Sequence, residues 1–321
     1  GPKCSEGKER PETRSKAREH SALTHYLRRL IHKVFRIGRE RILVASLAIP
    51  QNPWGKRARR RATVPVVVCM TSHPGRIRHA WIAVETLLRQ DVTPTKLILF
   101  LNDEEFPTRE LPGSIVRQTR RGLVVHWLTT DGKSYDKLLP ARRLFPDCNI
   151  ITVDDDKYFP ANLVRLLTES AKNNPQAVVG ARGWKINATT PGSFTYGAGW
   201  QRVTQPERGH DLFMPGGNGC LYPPSSLDTR VDDLKVAETI CPTADDIWFW
   251  AALSAAGTES ICLGLNAHQS VSPQSKSEAL SHINVTANDR QWKAAIEHFE
   301  LHGFIASFLT AHEPSVDREP K

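Results

Sequence analysis

The sequence lacks several features that mark special classes of protein. Its six cysteines include no C-x-x-C pair, which argues against a zinc knuckle. No uncharged apolar run is long enough to cross a bilayer, so no membrane-spanning helix is predicted. With 40% hydrophobic and 24% charged residues, the composition is that of an ordinary globular protein that can bury a full core.

The net positive charge of the chain is confined to its first part. Residues 1–62 hold 17 Lys and Arg against 5 Asp and Glu, a net of +12, whereas the whole chain of 321 residues carries +9. The remainder is therefore slightly acidic, at −3, and the isoelectric point of about 9.4 reflects the extension. Because aromatic residues are sparse among these basic residues, we predict no nucleic-acid partner.

The basic extension, residues 1–62, is predicted to be disordered over residues 1–20 and helical after that. From Ser21 apolar residues recur every three or four positions, while Arg and Lys fill much of the remaining surface, as in a basic amphipathic helix. Such a helix can bind an anionic membrane surface, here through residues 21–62. It can equally pack on its own domain with the charged face in solvent, and both interpretations stay open.

From residue 63 onward, short apolar runs alternate with segments of helical periodicity. This alternation predicts an α/β domain over residues 63–312, with a mostly parallel sheet flanked by helices and right-handed crossovers. A flexible tail is predicted at 313–321. The predicted strands are 66–70, 96–101, 123–127, 149–153, 177–181 and 260–265, and the predicted helices are 76–90, 135–145, 161–173 and 289–309.

The most informative stretch is Asp154-Asp155-Asp156, directly after the predicted strand 149–153. Adjacent carboxylates repel one another and are poor strand formers, so strand propensity does not explain them. Mg²⁺ and Mn²⁺ take oxygen ligands and are usually shared between one or two carboxylates and a substrate phosphate. In extended backbone Asp154 and Asp156 point to the same side, at the end of a strand where open α/β sheets bind ligands. The sequence predicts a Mn²⁺ or Mg²⁺ site there.

Five segments of the chain resemble the GT-A class of nucleotide-sugar glycosyltransferases, in particular the bacterial family-2-like enzymes of surface polysaccharide and lipopolysaccharide synthesis. The resemblance covers residues 64–310 and excludes the extension. It implies a GT-A (Rossmann-like) fold, in which Asp154 and Asp156 correspond to the acidic motif that holds the metal and the nucleotide. The segments that carry it are 66–72, 96–102, 150–160, 216–224 and 244–250.

The resemblance also implies further contacts to the donor. For Asp103 the alternative is a solvated loop acid, and for Arg76 and Lys137 it is a solvated side chain at a helix start. For the glycine-rich segment 216–219 it is a plain turn. The candidates for donor binding are Thr71, Ser72, Arg76, Asp103, Ser134, Lys137, Asp154, Asp155, Gly217 and Asn218. A C-terminal histidine is a common third metal ligand in the class, so the metal candidates are Asp156, Asp154 and His268, with His282 competing for the last position.

A catalytic role for Asp245-Asp246 follows from the resemblance as well. Inverting enzymes of the class carry an acidic pair at the start of a helix below the acceptor, and one member is the general base. The chemistry requires a carboxylate within hydrogen-bond reach of the attacking hydroxyl. Acids in a first helical turn also oppose the helix dipole, which is the alternative. Asp246 is favoured as the base, with Asp245 positioning the acceptor.

The sequence thus predicts a metal-dependent inverting glycosyltransferase. It would move a sugar from a nucleotide-sugar, a UDP-sugar by family precedent, to a hydroxyl of a glycan or lipid-linked acceptor, in the cytoplasm at the inner face of the cell membrane. A retaining transferase or a nucleotidyltransferase on a similar sheet stays open. So does a catalytically silent GT-A module tethered to a membrane.

Overall fold

The computed structural model describes residues 45–47, 60–187, 195–265 and 285–309. The chain divides into two compact units, Gly1–Pro53 and Trp54–Lys321. In the first unit the described residues form one helical turn. The amphipathic helix predicted from Ser21 and the tail predicted at 313–321 lie outside the described residues. No helix in the described ranges is long and apolar enough to span a membrane.

The second unit alternates strands and helices up to Gly180, and then has a run of short strands up to Tyr222 before its last helices. Its strands are β1 (Arg60–Arg61), β2 (Val66–Thr71), β3 (Val92–Thr93), β4 (Lys96–Asn102), β5 (Leu123–Leu128), β6 (Asn149–Val153), β7 (Val178–Gly180), β8 (Trp184–Lys185), β9 (Gln201–Arg202), β10 (Glu207–Gly209), β11 (Leu212–Phe213), β12 (Asn218–Tyr222) and β13 (Ser260–Cys262). Its α-helices are α1 (Ile77–Leu88), α2 (Gly113–Thr119), α3 (Leu139–Leu144), α4 (Leu163–Asn173), α5 (Leu234–Ile240), α6 (Asp245–Ala255), α7 (Val285–His298) and α8 (His302–Leu309). Short 3₁₀ helices occupy Lys133–Lys137 and Thr229–Asp232.

Eight strands form the central sheet, in the order β10-β13-β7-β12-β6-β2-β4-β5. Strand β12 is antiparallel to both β6 and β7, and β10 is antiparallel to β13. The others run parallel to one another. The predicted fold class, a mostly parallel sheet flanked by helices, is therefore confirmed.

Hydrophobic cores lie on both faces of this sheet, and β2 contributes to each. Its successive side chains point to opposite faces, so Val66, Val68 and Met70 pack with α1 and α4, while Val67 and Cys69 pack with α3, α6 and α7. The strand is buried on both sides, which explains its continuous apolar run.

Two predicted helices are interrupted in the structure. The segment predicted at 135–145 is a 3₁₀ turn followed by α3, with Pro140 in the first turn of α3, where its missing N–H is tolerated. The segment predicted at 289–309 is split between α7 and α8. Between them Glu300 has a φ of 59°, a left-handed conformation that does not continue a helix.

The carboxyl ends of the parallel strands meet at one edge of the sheet. Strand β12 runs the opposite way, so its first residue, Asn218, pairs with Val153, the last residue of β6. The glycine-rich loop before β12 therefore lies beside the three acids that follow β6. This edge holds the candidate site.

Candidate active site

Asp154, the first acid after β6, is held by two lysines. Lys137 Nζ lies 3.0 Å from its Oδ1 and Lys157 Nζ lies 2.7 Å from its Oδ2. Burial opposes ionisation of this carboxyl, but the two ammonium groups hold the pKa of Asp154 well below its ordinary value. Asp154 is therefore ionised, and both its oxygens are in ion pairs.

Arg76 organises the next two acids. Its Nη2 lies 3.2 Å from Asp155 Oδ1 and its Nη1 lies 3.0 Å from Asp156 Oδ2. Asp155 is only 2% exposed and accepts a hydrogen bond of 2.5 Å from Ser72 Oγ. Burial nonetheless raises the pKa of Asp155 to about 6, despite Arg76 and Ser72. The second oxygen of Asp156, Oδ1, is buried and accepts no hydrogen bond.

Lys137 joins the acids of β6 to the second acidic pair. Its Nζ lies 3.0 Å from Asp154 Oδ1 and 3.0 Å from Asp245 Oδ2, and its side chain is 6% exposed. Burial disfavours the charged ammonium, but the carboxylates of Asp154, Asp245 and Asp246 raise the pKa of Lys137 well above its ordinary value. Since Asp245 is the first residue of α6, this bridge holds the start of α6 against the end of β6.

Asp246 lies in the same first turn of α6 and is partly buried. Its Oδ1 accepts a hydrogen bond of 2.9 Å from the backbone N–H of Gly216. Burial, with the charges of Asp245 and Asp154, raises the pKa of Asp246 to about 7, although Lys137 and the Gly216 N–H act in the opposite direction. A carboxyl that titrates near neutral pH suits general-base chemistry.

Gly216 and Gly217, in the loop before β12, fit between the acids that follow β6 and those that begin α6 because they have no side chains. A Cβ on Gly217 would lie 1.8 Å from Asp154 Oδ2. The carbonyl of Gly217 accepts from the N–H of Asp154 at 3.0 Å, and the carbonyl of Gly216 accepts from Thr152 Oγ1 at 2.9 Å. Glycine is required here for close approach.

Two further predicted donor contacts, Thr71 and Asp103, are also engaged with the protein itself. Thr71 Oγ1 donates to the backbone carbonyl of Phe100 at 3.1 Å. Asp103 accepts two hydrogen bonds from Arg109, at 2.6 and 2.7 Å, and these lower its pKa. Both residues lie at the carboxyl edge of the sheet, with their polar atoms satisfied by neighbouring residues.

The remaining candidates are placed differently. Ser134 is half-buried on the 3₁₀ helix that carries Lys137, and Asn218 is 5% exposed at the start of β12. His268 and its competitor His282 lie outside the described residues, so the histidine ligand stays a prediction.

Asp156 is better placed than Asp154 to bind a divalent cation. Asp156 Oδ1 is buried without a hydrogen bond, whereas both oxygens of Asp154 accept from lysines. Mg²⁺ that is shared with substrate phosphates needs only one or two protein carboxylates. No group of three or more His, Cys, Asp or Glu side chains in the described ranges is placed to hold a metal by itself. The residues fit a cation that a phosphate ligand helps to hold.

The surface beside Asp246 is aromatic. The rings of Tyr196 and Trp200 lie 4.9 Å apart, and both side chains are partly exposed. Burial and the nearby charge of Asp246 raise the pKa of Tyr196. In contrast, Trp248 and Trp250 on α6 are buried in the core, 0% and 3% exposed.

Sequence reasoning missed two contributors to this site. Lys157 follows the three acids directly and lies three residues after Asp154. The signal in the sequence was a basic residue next to an acidic run. The N–H of Gly216 is the other, and no sequence pattern identifies a backbone donor to Asp246.

No protein-family model and no curated protein matches the chain. Among solved structures, S. aureus TarS 1–349 is 13% identical, over 79% of this chain and 75% of that chain, with a TM-score of 0.43. The same TarS fragment in complex with UDP is 15% identical, over 75% and 72% of the two chains, with a TM-score of 0.44. A 4-diphosphocytidyl-2C-methyl-D-erythritol synthase is 10% identical, over 69% of this chain and 100% of that chain, with a TM-score of 0.40. Similarity of this extent assigns neither an activity nor a ligand to the present chain.

Proposed function

We propose that this chain is an inverting glycosyltransferase that takes a sugar from a nucleotide-sugar, preferably a UDP-sugar, and transfers it to a hydroxyl of a glycan or lipid-linked acceptor. The observation that carries the proposal is the continuous contact Asp154–Lys137–Asp245. This contact places the acidic end of β6 and the raised-pKa carboxyl of Asp246 on the same edge of the sheet. The acidic end of β6 suits a diphosphate with its cation, and Asp246 suits removal of a proton.

The donor diphosphate would bind at the end of β6. Asp156 offers a buried oxygen to Mn²⁺ or Mg²⁺, and the bound cation would neutralise the negative charge of the leaving diphosphate. Arg76 holds Asp156 in place at 3.0 Å. Lys157 is 20% exposed and supplies positive charge near the same phosphates.

The acceptor hydroxyl would be activated by Asp246. As the hydroxyl oxygen attacks the anomeric carbon, its proton passes to Asp246 and the bond from that carbon to the diphosphate breaks. The Gly216 N–H fixes the carboxylate. Burial and the charge of Asp245, which Lys137 keeps in place, raise the pKa of Asp246 and so make it a stronger base than an ordinary aspartate. A single displacement of this kind inverts the anomeric configuration.

The partly exposed rings of Tyr196 and Trp200 suit the sugar of the acceptor. One face of a sugar is apolar and packs on an aromatic ring. The charge of Asp246 acts on the Tyr196 hydroxyl, so an acceptor sugar on these rings would lie close to the proposed base.

The test has two stages. UDP is titrated calorimetrically with and without Mn²⁺ into the wild-type chain, Asp156→Ala and the control Asp147→Ala, an exposed aspartate after α3. We expect Mn²⁺-dependent UDP binding in the wild type and the control, and its loss in Asp156→Ala. UDP-, GDP-, CMP- and dTDP-sugars are then screened for nucleotide release, and NMR determines the product anomer.

Each outcome separates the proposal from its alternatives. Nucleotide binding that does not depend on Mn²⁺ would contradict the role of Asp156. Binding without turnover of any donor would identify a silent module. Retained anomeric configuration would make the enzyme a retaining transferase, and transfer of the nucleotide would make it a nucleotidyltransferase.

A further inference from the structure

Arg182 is a half-buried cation with no negatively charged partner among the residues that the structure describes. It follows β7 by two residues, and its Nε is buried without a hydrogen bond. Among the described residues no carboxylate lies within ion-pair distance of it. Burying a guanidinium without an anion costs free energy, so such a residue is unusual unless a ligand supplies the anion.

The surroundings of Arg182 add a flat surface and a second positive charge. Its guanidinium carbon lies over the Trp184 ring, 4.8 Å from the ring centre, within the range of a cation–π interaction. Arg202 pairs directly opposite Trp184 on the neighbouring strand. Burial and the charge of Arg202 together lower the pKa of Arg182, the reverse of what a carboxylate neighbour would do.

Arg182 lies on the same edge of the sheet as the proposed active site. Strand β7 runs parallel to β6, and β12 lies between them. The N–H of Ala181 donates to the carbonyl of Gly219 at 2.8 Å. Gly219 is two residues from Gly217, whose backbone touches Asp154. Arg182 therefore lies one strand beyond the glycine loop, on the side away from Ser72 and Arg76.

We propose that Arg182, stacked on Trp184, binds an oxyanion group of the acceptor, a phosphate or a carboxylate carried next to the sugar that receives the transfer. The proposal rests on the proposed function for the identity of the acceptor, but the anion site itself does not. A guanidinium forms two parallel hydrogen bonds to either group. The donor diphosphate is proposed to bind Lys157 and the metal ion at the end of β6. Arg182 is therefore available to the second substrate.

The experiment measures binding of inorganic phosphate and of acetate to the full chain at constant ionic strength, by ³¹P NMR titration and ¹H saturation transfer respectively. The variants are Arg182→Gln, Arg182→Lys and the control Arg117→Gln, an exposed arginine on α2. We expect the wild type and the control to bind one or both anions. Arg182→Gln should weaken binding about tenfold or more, with partial recovery in Arg182→Lys.

A stability measurement distinguishes a ligand site from a structural role. Arg182→Gln removes a half-buried cation that pairs with no carboxylate in the described part of the chain, so its melting temperature without added anion should equal or exceed that of the wild type. Added phosphate should raise the melting temperature of the wild type and of Arg117→Gln, and not that of Arg182→Gln. A lower melting temperature for Arg182→Gln that phosphate still raises would overturn the proposal.

Repeating the titration with saturating UDP and Mn²⁺ separates the two substrates. Anion binding that persists supports an acceptor subsite, whereas competition with UDP would place Arg182 in the donor site and overturn the inference. If UDP does not bind but the Arg182-dependent anion site is present, the proposed function fails and the anion site stands. If UDP binds and Arg182→Gln does not change anion binding, the anion site fails and the proposed function stands.

Discussion

At the scale of single residues, the aspartates of this site differ because of their neighbours. Asp154 lies between two lysines and its pKa is lowered, whereas burial and then the charge of Asp245 raise the pKa of Asp246 to about 7. Pairs of carboxyls whose pKa values are driven apart are typical of sites that combine electrostatic stabilisation with proton transfer. The structure therefore gives these two acids opposite pKa shifts, which fits the proposal that Asp246 accepts the proton.

Asp246→Asn tests the base directly. The amide keeps the size of the side chain but cannot accept the proton, so turnover should fall about 10²–10⁴-fold. Affinity for UDP should change little, because the donor is proposed to bind at the end of β6. Initial rates and calorimetry measure the two effects, with Asp147→Asn as control. If turnover survives, the base lies elsewhere and Asp245→Asn is the next variant.

The raised pKa of Asp246 also predicts two pH dependences. Turnover should fall as the pH is lowered through about 7, because the base becomes protonated. The folded protein binds this proton more tightly than the unfolded chain, so the stability that Asp246 contributes is lost as the pH rises from about 4 through about 7. Asp246→Asn should therefore gain stability relative to the wild type over that interval. Urea unfolding at pH 5 and pH 8 measures this, and a constant difference would contradict the raised pKa.

Gly217→Ala tests the close approach of the glycine loop. The added Cβ would overlap Asp154 Oδ2, so the loop or the carboxylate must move, at a cost of about 1–3 kcal/mol, and UDP binding should weaken. Gly303→Ala on α8 is the matched control, since its Cβ would meet open space and alanine favours helix. Equal stability of the two variants in urea unfolding would show that the loop adapts freely.

At the scale of elements, Lys137 determines how α6 meets β6. The helix begins with two acids, and its N-terminal dipole alone would tolerate them. The ammonium of Lys137 adds a specific contact that fixes the position of Asp245 against Asp154. A short 3₁₀ helix, which the sequence predicts as part of a longer helix, carries this lysine.

Lys137→Met should therefore destabilise the fold. It leaves Asp154 and Asp245 without their shared cation in a buried position, which costs about 3–5 kcal/mol. Lys157→Met removes a more exposed partner of Asp154 and should cost less than about 1 kcal/mol. Urea unfolding of both variants provides the comparison. Combining Lys137→Met with Asp245→Asn should recover part of the loss, and no recovery would show that the bridge is not the cause.

At the scale of the whole molecule, charge and the proposed chemistry lie in different parts of the chain. Residues 1–62 carry +12 and the rest −3, and we propose that the extension binds the anionic inner face of the cell membrane. Residues 60–61 form β1 and pair with β3. The first compact unit ends at Pro53, so residues 1–53 of the extension can be removed without breaking β1.

Deleting residues 1–53 tests the proposed membrane role. Binding to phosphatidylserine-containing liposomes should decrease, and binding of UDP should not change. Sedimentation with liposomes measures the first and calorimetry the second, and vesicles of phosphatidylcholine alone serve as control. Unchanged sedimentation with the anionic liposomes would reject the membrane role.

The amino-acid sequence by itself determined the alternation of strands and helices and the position of three acids directly after β6. These are local properties, because periodicity and strand ends depend on residues that are close together in the chain. Strand β12 was not predicted, since a five-residue antiparallel strand between two parallel ones has no distinctive pattern.

Only the tertiary structure decided which acid has a lowered pKa, which has a raised pKa, and which has a buried oxygen that accepts no hydrogen bond. Lys137 reaches Asp154 from 17 residues away and Gly216 reaches Asp246 from 30 residues away. An electrostatic environment is the sum over charges, dipoles and burial supplied by distant segments, so it exists only after those segments have packed together.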